Sequence, residues 1–167
     1  HFETTILPTS LNHWFCDLKD LTSITYNVID GEAVELDTRF ATSMEGMFKN
    51  CSSLKTNANG DIPGLTLGEL NTDKVTSMQE MFAGCSSLET ISLSHFEGYT
   101  TTSVESMFEG CTKLKSIEFD QFFGHNIENF AYMFKDCANL KELDLYYADT
   151  TTAITMTDMF AGAVRLE

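Results

Sequence analysis

The chain has 167 residues, 43% of them hydrophobic, enough for one domain or one run of repeats with a sizeable core. Twenty-five acidic residues against 10 basic ones give a formal charge of −15, which repels a phosphate backbone or an anionic lipid surface and argues against both as partners. Thirteen Phe within an aromatic content of 11% supply the burial that a disordered chain lacks.

The chain opens on His1 without Met and without a basic start plus apolar stretch, which reads as a trimmed or mature segment. No apolar run approaches the roughly 18 residues of a membrane span, so no membrane insertion is expected in this segment. A repeated pattern then takes over. LNHWFCDLKDL from Leu11 is a worn first copy, with Trp14 and Phe15 where later copies have Met-Phe. MEGMFKNCSSL follows from Met44, MQEMFAGCSSL from Met78, VESMFEGCTKL from Val104 and FAYMFKDCANL from Phe130. MTDMFAGAVRL from Met156 is the last copy, with Ala163 in place of cysteine. The shared Phe falls at Phe15, Phe48, Phe82, Phe108, Phe134 and Phe160, at intervals of 33, 34, 26, 26 and 26. The unit is therefore 26 residues, and the two long intervals carry insertions placed at 27–33 and 55–63.

Apolar residues recur at positions 0, 3, 4, 7 and 10 of each copy, as in Met78, Met81, Phe82, Cys85 and Leu88. At about 100° per residue they occupy one arc of about 120°, which predicts a short helix with one buried face. Thr42 with Glu45, Ser77 with Glu80 and Thr102 with Glu105 fit capping boxes for its start. After each helix, alternation of Ile91 and Leu93, of Ile117 and Phe119, and of Leu143 and Leu145 predicts a short strand. Leu65-Thr66-Leu67 takes that part in the second copy, and Leu21, Ile24 and Tyr26 in the first. Val75, Thr101, Ile127 and Ala153 mark a second brief extended piece before the next helix pattern.

One helix and one strand of this size cannot cover their own apolar faces, so consecutive copies must stack. The expected fold class is an α/β solenoid: a leucine-rich-repeat-like, right-handed stack of about six 26-residue turns. A parallel sheet lies on one side and short helices on the other, in a single repeat domain over 1–167. The combination of Met-x-x-Met-Phe-x-x-Cys-x-x-Leu with the strand from Leu88 to Phe96 and the turn Asn71-Thr72-Asp73-Lys74-Val75-Thr76-Ser77-Met78 is narrower. It resembles the BspA-like leucine-rich-repeat family of bacterial surface proteins. The resemblance spans nearly the whole chain and departs from the family pattern at the two ends. There, 163–167 reads either as a cap or as a point inside a longer array.

Cys16, Cys51, Cys85, Cys111 and Cys137 have no CxxC spacing, and four of them share position 7. Adjacent helices about 8–10 Å apart hold such thiols beyond disulfide reach, so they are expected as small buried hydrophobes, with Cys16 off the register. Most of the eight methionines sit at the same buried positions, and His1, His13, His95 and His125 share neither metal spacing nor a repeat position. No catalytic residue, metal ligand or cofactor is expected.

Strand residues between the buried ones point outward, stacking Ser92, Glu118 and Asp144 in one exposed column and Ser94, Asp120 and Tyr146 in the next. Glu118 and Asp144, about 4.8 Å apart on neighbouring strands, repel each other. Lys115 and Lys141 or solvent screening are the expected answer; a Ca²⁺ ion is the sharper alternative, although no loop carries a DxDxDG-type ligand run. The two columns, with Tyr99, Tyr146 and Tyr147 as aromatic anchors, are the expected binding face. The resemblance implies a noncatalytic, extracellular or cell-surface adhesion module with a host or matrix protein or a glycan as ligand. The alternative is a structural stalk or spacer with no ligand of its own, which would show an evenly polar surface.

Overall fold

In the computed structural model the described residues are 5–24, 28–29, 32–33, 35–63, 65–119, 122, 126–146 and 148–167. Asp120, Tyr147, His1, His125 and the expected strand residue Tyr26 lie outside them, as do Asn27, Asp30 and Gly31 of the 27–33 insertion. Regular elements are few and short. Strand β1 (Thr5–Ile6) pairs in parallel with β4 (Glu35–Leu36), β2 (Val28–Ile29) pairs antiparallel with β3 (Glu32–Ala33), and β5 (Thr90–Ser92) pairs in parallel with β6 (Ser116–Glu118). One 3-10 turn spans Leu67–Glu69.

The segments expected as helices are not helices. Position 2 of the six copies (His13, Gly46, Glu80, Ser106, Tyr132, Asp158) and position 6 (Asp17, Asn50, Gly84, Gly110, Asp136, Gly162) all have positive φ, between 51° and 79°. A left-handed residue every fourth position breaks a right-handed helix. Each segment is instead a ribbon of tight turns, and its backbone donors divide by parity. The N–H groups at positions 3, 5 and 7 turn back three residues, as from Met47 to Met44, Lys49 to Gly46 and Cys51 to Phe48. Those at positions 0, 2, 4 and 6 donate forward to the next copy: Met78 to Ser103, Glu80 to Glu105, Phe82 to Met107 and Gly84 to Glu109, at 2.7–3.0 Å. The same four bonds recur at every junction, from Leu11 to Ser43 through Asp136 to Ala161. A helix would close these N–H groups on itself; here the neighbouring copy satisfies them, so stacking supplies the backbone pairing that buried amides require.

Isolated parallel bridges link Ser43 to Ser77, Ser77 to Ser103, Ser103 to Asn129 and Asn129 to Thr155, just ahead of each ribbon. Behind it, β5 and β6 pair with Thr90 opposite Ser116, Ile91 opposite Ile117 and Ser92 opposite Glu118. The fifth copy makes no strand at 141–145, and the second replaces its expected Leu65–Leu67 strand with an antiparallel bridge from Ile62 to Leu65 and the 3-10 turn.

The core is a set of columns, one per repeat position. Met44, Met78 and Val104 at position 0, Met47, Met81, Met107 and Met133 at position 3, and Leu54, Leu88, Leu114 and Leu140 at position 10 are fully buried. Position 4 forms one continuous stack of phenylalanines from Phe15 to Phe160, with successive ring centroids 5.3–5.9 Å apart and planes within 7° of parallel. Their separation follows the roughly 4.8 Å rise of parallel backbone pairing, so the rings stack offset rather than face to face. The worn first copy keeps the same turns: Leu18 stands at the cysteine position, and Trp14 at that of methionine.

Candidate functional site

Position 7 accounts for the cysteines. Cys51, Cys85, Cys111 and Cys137 are buried and free, and each thiol donates to the Phe carbonyl of the preceding copy. The acceptors are Phe15, Phe48, Phe82 and Phe108, at 3.0–3.2 Å. Burial pushes Cys51 up to about 11 and Cys137 up to about 12, and raises Cys85 and Cys111 further, so all four stay protonated and unreactive at neutral pH. Cys16 is half-buried at position 5, donating to the Asp17 carboxylate at 3.4 Å. Partial burial and that carboxylate raise its pKa as well. Among the described residues no group of three His, Cys, Asp or Glu could hold a metal ion, and no helix is long and apolar enough to cross a membrane.

Of the two columns expected to be exposed, Glu118, Asp144 and Tyr146 are exposed, whereas Ser92 and Ser94 are half-buried. Ser92 and Glu118 are neighbours in the β5–β6 register, with Ile91 and Ile117 turned to the core between them and the outward Thr90 and Ser116. Ser94 lies beside Ser92, their hydroxyls 3.0 Å apart. Asp144 lies in the fifth copy beyond the paired strands, its carboxylate accepting the backbone N–H of Tyr146 at 2.8 Å. Tyr146 is 83% exposed. Tyr99 is exposed on another stretch of the surface, with Asn126 donating to its carbonyl. Lys115 does not answer Glu118. Its ammonium is held by Glu89 of the preceding copy at 2.5 Å, because the lysine extends across the stack at position 11 toward the carboxylate at position 11 of its neighbour.

The second insertion brings in residues that sequence reasoning did not single out. Asn57 folds it: its side-chain oxygen accepts the N–H groups of Asn59 and Asp61, its carbonyl accepts Gly60, and its N–H donates to the Asp61 carbonyl. Asp61 in turn receives the Leu67 N–H, starting the 3-10 turn. The tip lies on β5. Gly60, at φ +83°, is buried against Ser92, and a Cβ added there would stand 2.6 Å from the Ser92 nitrogen. Only glycine fits that approach. A groove of about 190 Å³ results, between Ala58, Asn59 and Gly60 on one side and Thr90, Ser92, Ser116 and Glu118 on the other. Three hydroxyls, one amide and one carboxylate with no cation among them form a lining that accepts hydrogen bonds and repels anions. The run Asn57-Ala58-Asn59-Gly60-Asp61, rich in turn formers, was the readable signal of this loop.

No curated protein and no solved structure matches the chain. Residues 9–141 and 42–167, two overlapping stretches covering nearly all the repeats, match one family, and the chain belongs to it: that described as Mycoplasma protein of unknown function, DUF285.

Proposed function

We propose that the chain is a noncatalytic binding module, presented extracellularly or at a cell surface, whose ligand is a protein or a glycan. The stacked copies are read as turns of a right-handed, leucine-rich-repeat-like solenoid of the BspA-like kind, and the location follows from that resemblance. Repetition works against catalysis, because an active site needs several different residues converging at one place.

The observation that carries the binding reading is the groove beside β5 and β6. An array of near-identical copies offers the same surface at every step, and the 55–63 insertion breaks that uniformity at one point, next to Ser92 and Glu118. The lining suits a neutral, hydrogen-bond-donating ligand such as an uncharged glycan or a polar protein loop. Wild type, Gly60→Ala and Glu118→Lys, passed over immobilised neutral glycans and matrix proteins, test this. The expected result is a ligand that wild type retains and both variants lose by about tenfold or more, the scale of one charged hydrogen bond. Equal retention by the variants places the site elsewhere.

The second reading, a stalk that holds other domains away from a surface, draws on the unbroken phenylalanine stack and the uniform four-bond junctions, which favour rigidity along the array. Uniformly negative binding favours it.

A further inference from the structure

The turn over 57–61 carries a reactive pair. Eight asparagines lie among the described residues, and seven of them have side chains tied by hydrogen bonds. Asn50 donates to the Asp17 carboxylate at 2.8 Å, Asn129 donates to the Glu105 carboxylate at 2.9 Å, and the Asn57 oxygen accepts the N–H groups of Asn59 and Asp61. Asn59 is the exception: it is exposed, and its side-chain amide has no hydrogen-bond partner among the described residues. It is also the one asparagine of the chain that is followed by glycine.

Those two features act on one reaction. A backbone nitrogen attacks the preceding asparagine side chain when that amide is free to turn back over it and the following residue leaves the approach open. Gly60 has no Cβ beside its nitrogen. One bond holds the attack back, from the Gly60 N–H to the Asn57 carbonyl at 3.1 Å. The tip is lightly held on β5, since the Ser92 N–H reaches the Gly60 carbonyl at 3.4 Å, the long end of the hydrogen-bonding range. Asn57 keeps its bonds to Asn59 and Asp61 while the Gly60 bond breaks, so the opening is local, and exposed turns open in this way at small cost in free energy.

We propose that Asn59 is a site of spontaneous deamidation in the folded protein, one that adds a second carboxylate to the groove. The Gly60 nitrogen gives its proton to solvent base and bonds to Cγ of Asn59; the Cγ–Nδ2 bond breaks, and Nδ2 takes up a proton and leaves as ammonia. Water then opens the five-membered imide ring at either carbonyl. Breaking the new bond from the Gly60 nitrogen to Cγ yields aspartate, and breaking the original peptide bond yields isoaspartate, whose main chain runs through the former side chain. Either product loses ammonia, gains water and ionises, taking the formal charge from −15 to −16 by one added carboxylate. Asn59 and Glu118 both line the groove, so its lining passes from one carboxylate to two and loses its one side-chain amide. Isoaspartate also adds a carbon to the main chain just ahead of Gly60, whose close approach to Ser92 leaves no slack.

Isoelectric focusing and peptide mapping of the full chain, incubated at mildly alkaline pH without denaturant, test this. A species one charge more acidic should accumulate, and its modification should map to Asn59 as aspartate and isoaspartate. Asn59→Gln, which has to close a six-membered ring, should abolish it. An unconverted Asn59 in the folded chain overturns the inference, whether or not the urea-unfolded chain converts there, as does conversion spread equally over the hydrogen-bonded asparagines. The effect on binding rests on the groove reading and is tested apart from the chemistry. Asn59→Asp, which carries the new carboxylate from the outset, should lose the neutral ligand that wild type retains on the immobilised glycans and matrix proteins. If Asn59 converts but Asn59→Asp binds as wild type does, the groove reading fails and the modification stands.

Discussion

Truncating the phenylalanine stack at its middle and at its end distinguishes a cooperative column from a set of independent rings. Phe108 is fully buried between Phe82 and Phe134, with centroids at 5.5 and 5.9 Å and planes within 5° of parallel. A buried Phe→Ala change costs about 3–5 kcal/mol, and the loss of two stacking contacts, each worth about 0.5–1.5 kcal/mol, places Phe108→Ala near the top of that range. Phe160 is half-buried and, among the described residues, stacks on Phe134 alone, at 5.6 Å. With roughly half the burial and one contact, Phe160→Ala should cost about 2 kcal/mol. The difference of about 2–3 kcal/mol corresponds to about 1 M in urea midpoint for a chain of this size. Urea unfolding followed by circular dichroism measures both. Equal costs within about 0.5 kcal/mol would refute the column, because the central ring would then gain nothing from its second neighbour.

Other consequences concern the turns and the thiols. Gly110→Ala, at φ +73° with the nearest heavy atoms 3.8 Å from the added Cβ, meets no steric obstacle and should cost about 1–2 kcal/mol in thermal unfolding through backbone conformation alone. Asp158→Gly, at φ 51° in the exposed last copy, should stabilise by up to about 1 kcal/mol on the same grounds, a neutral result arguing against strain there. With a thiol reagent at pH 8, Cys16 should react first and the four ladder cysteines only on unfolding; prompt modification of all five in the native protein would contradict the burial. The folded chain holds the Cys51 and Cys137 protons above the ordinary thiol value of 9.0, while the unfolded chain releases them there. Stability is therefore unaffected by these thiols below pH 9. It should fall above it by about 1.4 kcal/mol per pH unit for each, until about 11 for Cys51 and about 12 for Cys137. Cys51→Ala should remove its share of that alkaline loss.

The repeat period, the register of the copies and the residues that fill the core were all legible in the order of amino acids. Burial selects Met, Phe, Cys and Leu at fixed positions, and that selection is written in each copy. The thiols were legible for the same reason: a cysteine at position 7 in four successive copies points to packing before chemistry. Hydrophobic spacing reports which side chains are covered, however, and not how the backbone is satisfied. Positions 0, 3, 4 and 7 lie on one face of a helix and equally on one face of a ribbon that turns every four residues. Asp17, Asn50, Gly84, Gly110, Asp136 and Gly162, all residue types that tolerate positive φ, were the local hint at position 6, but Glu80 and Tyr132 at position 2 gave none. The choice of ribbon over helix belongs to the tertiary structure, since the four forward N–H groups of each of the first five copies find their acceptors 25 to 33 residues away. Non-local contacts likewise decided that Lys115 pairs with Glu89 rather than Glu118, and that Gly60 lies against Ser92 to form the groove. The order of amino acids sets what each copy must bury; only stacking decides which bonds the copies make to one another.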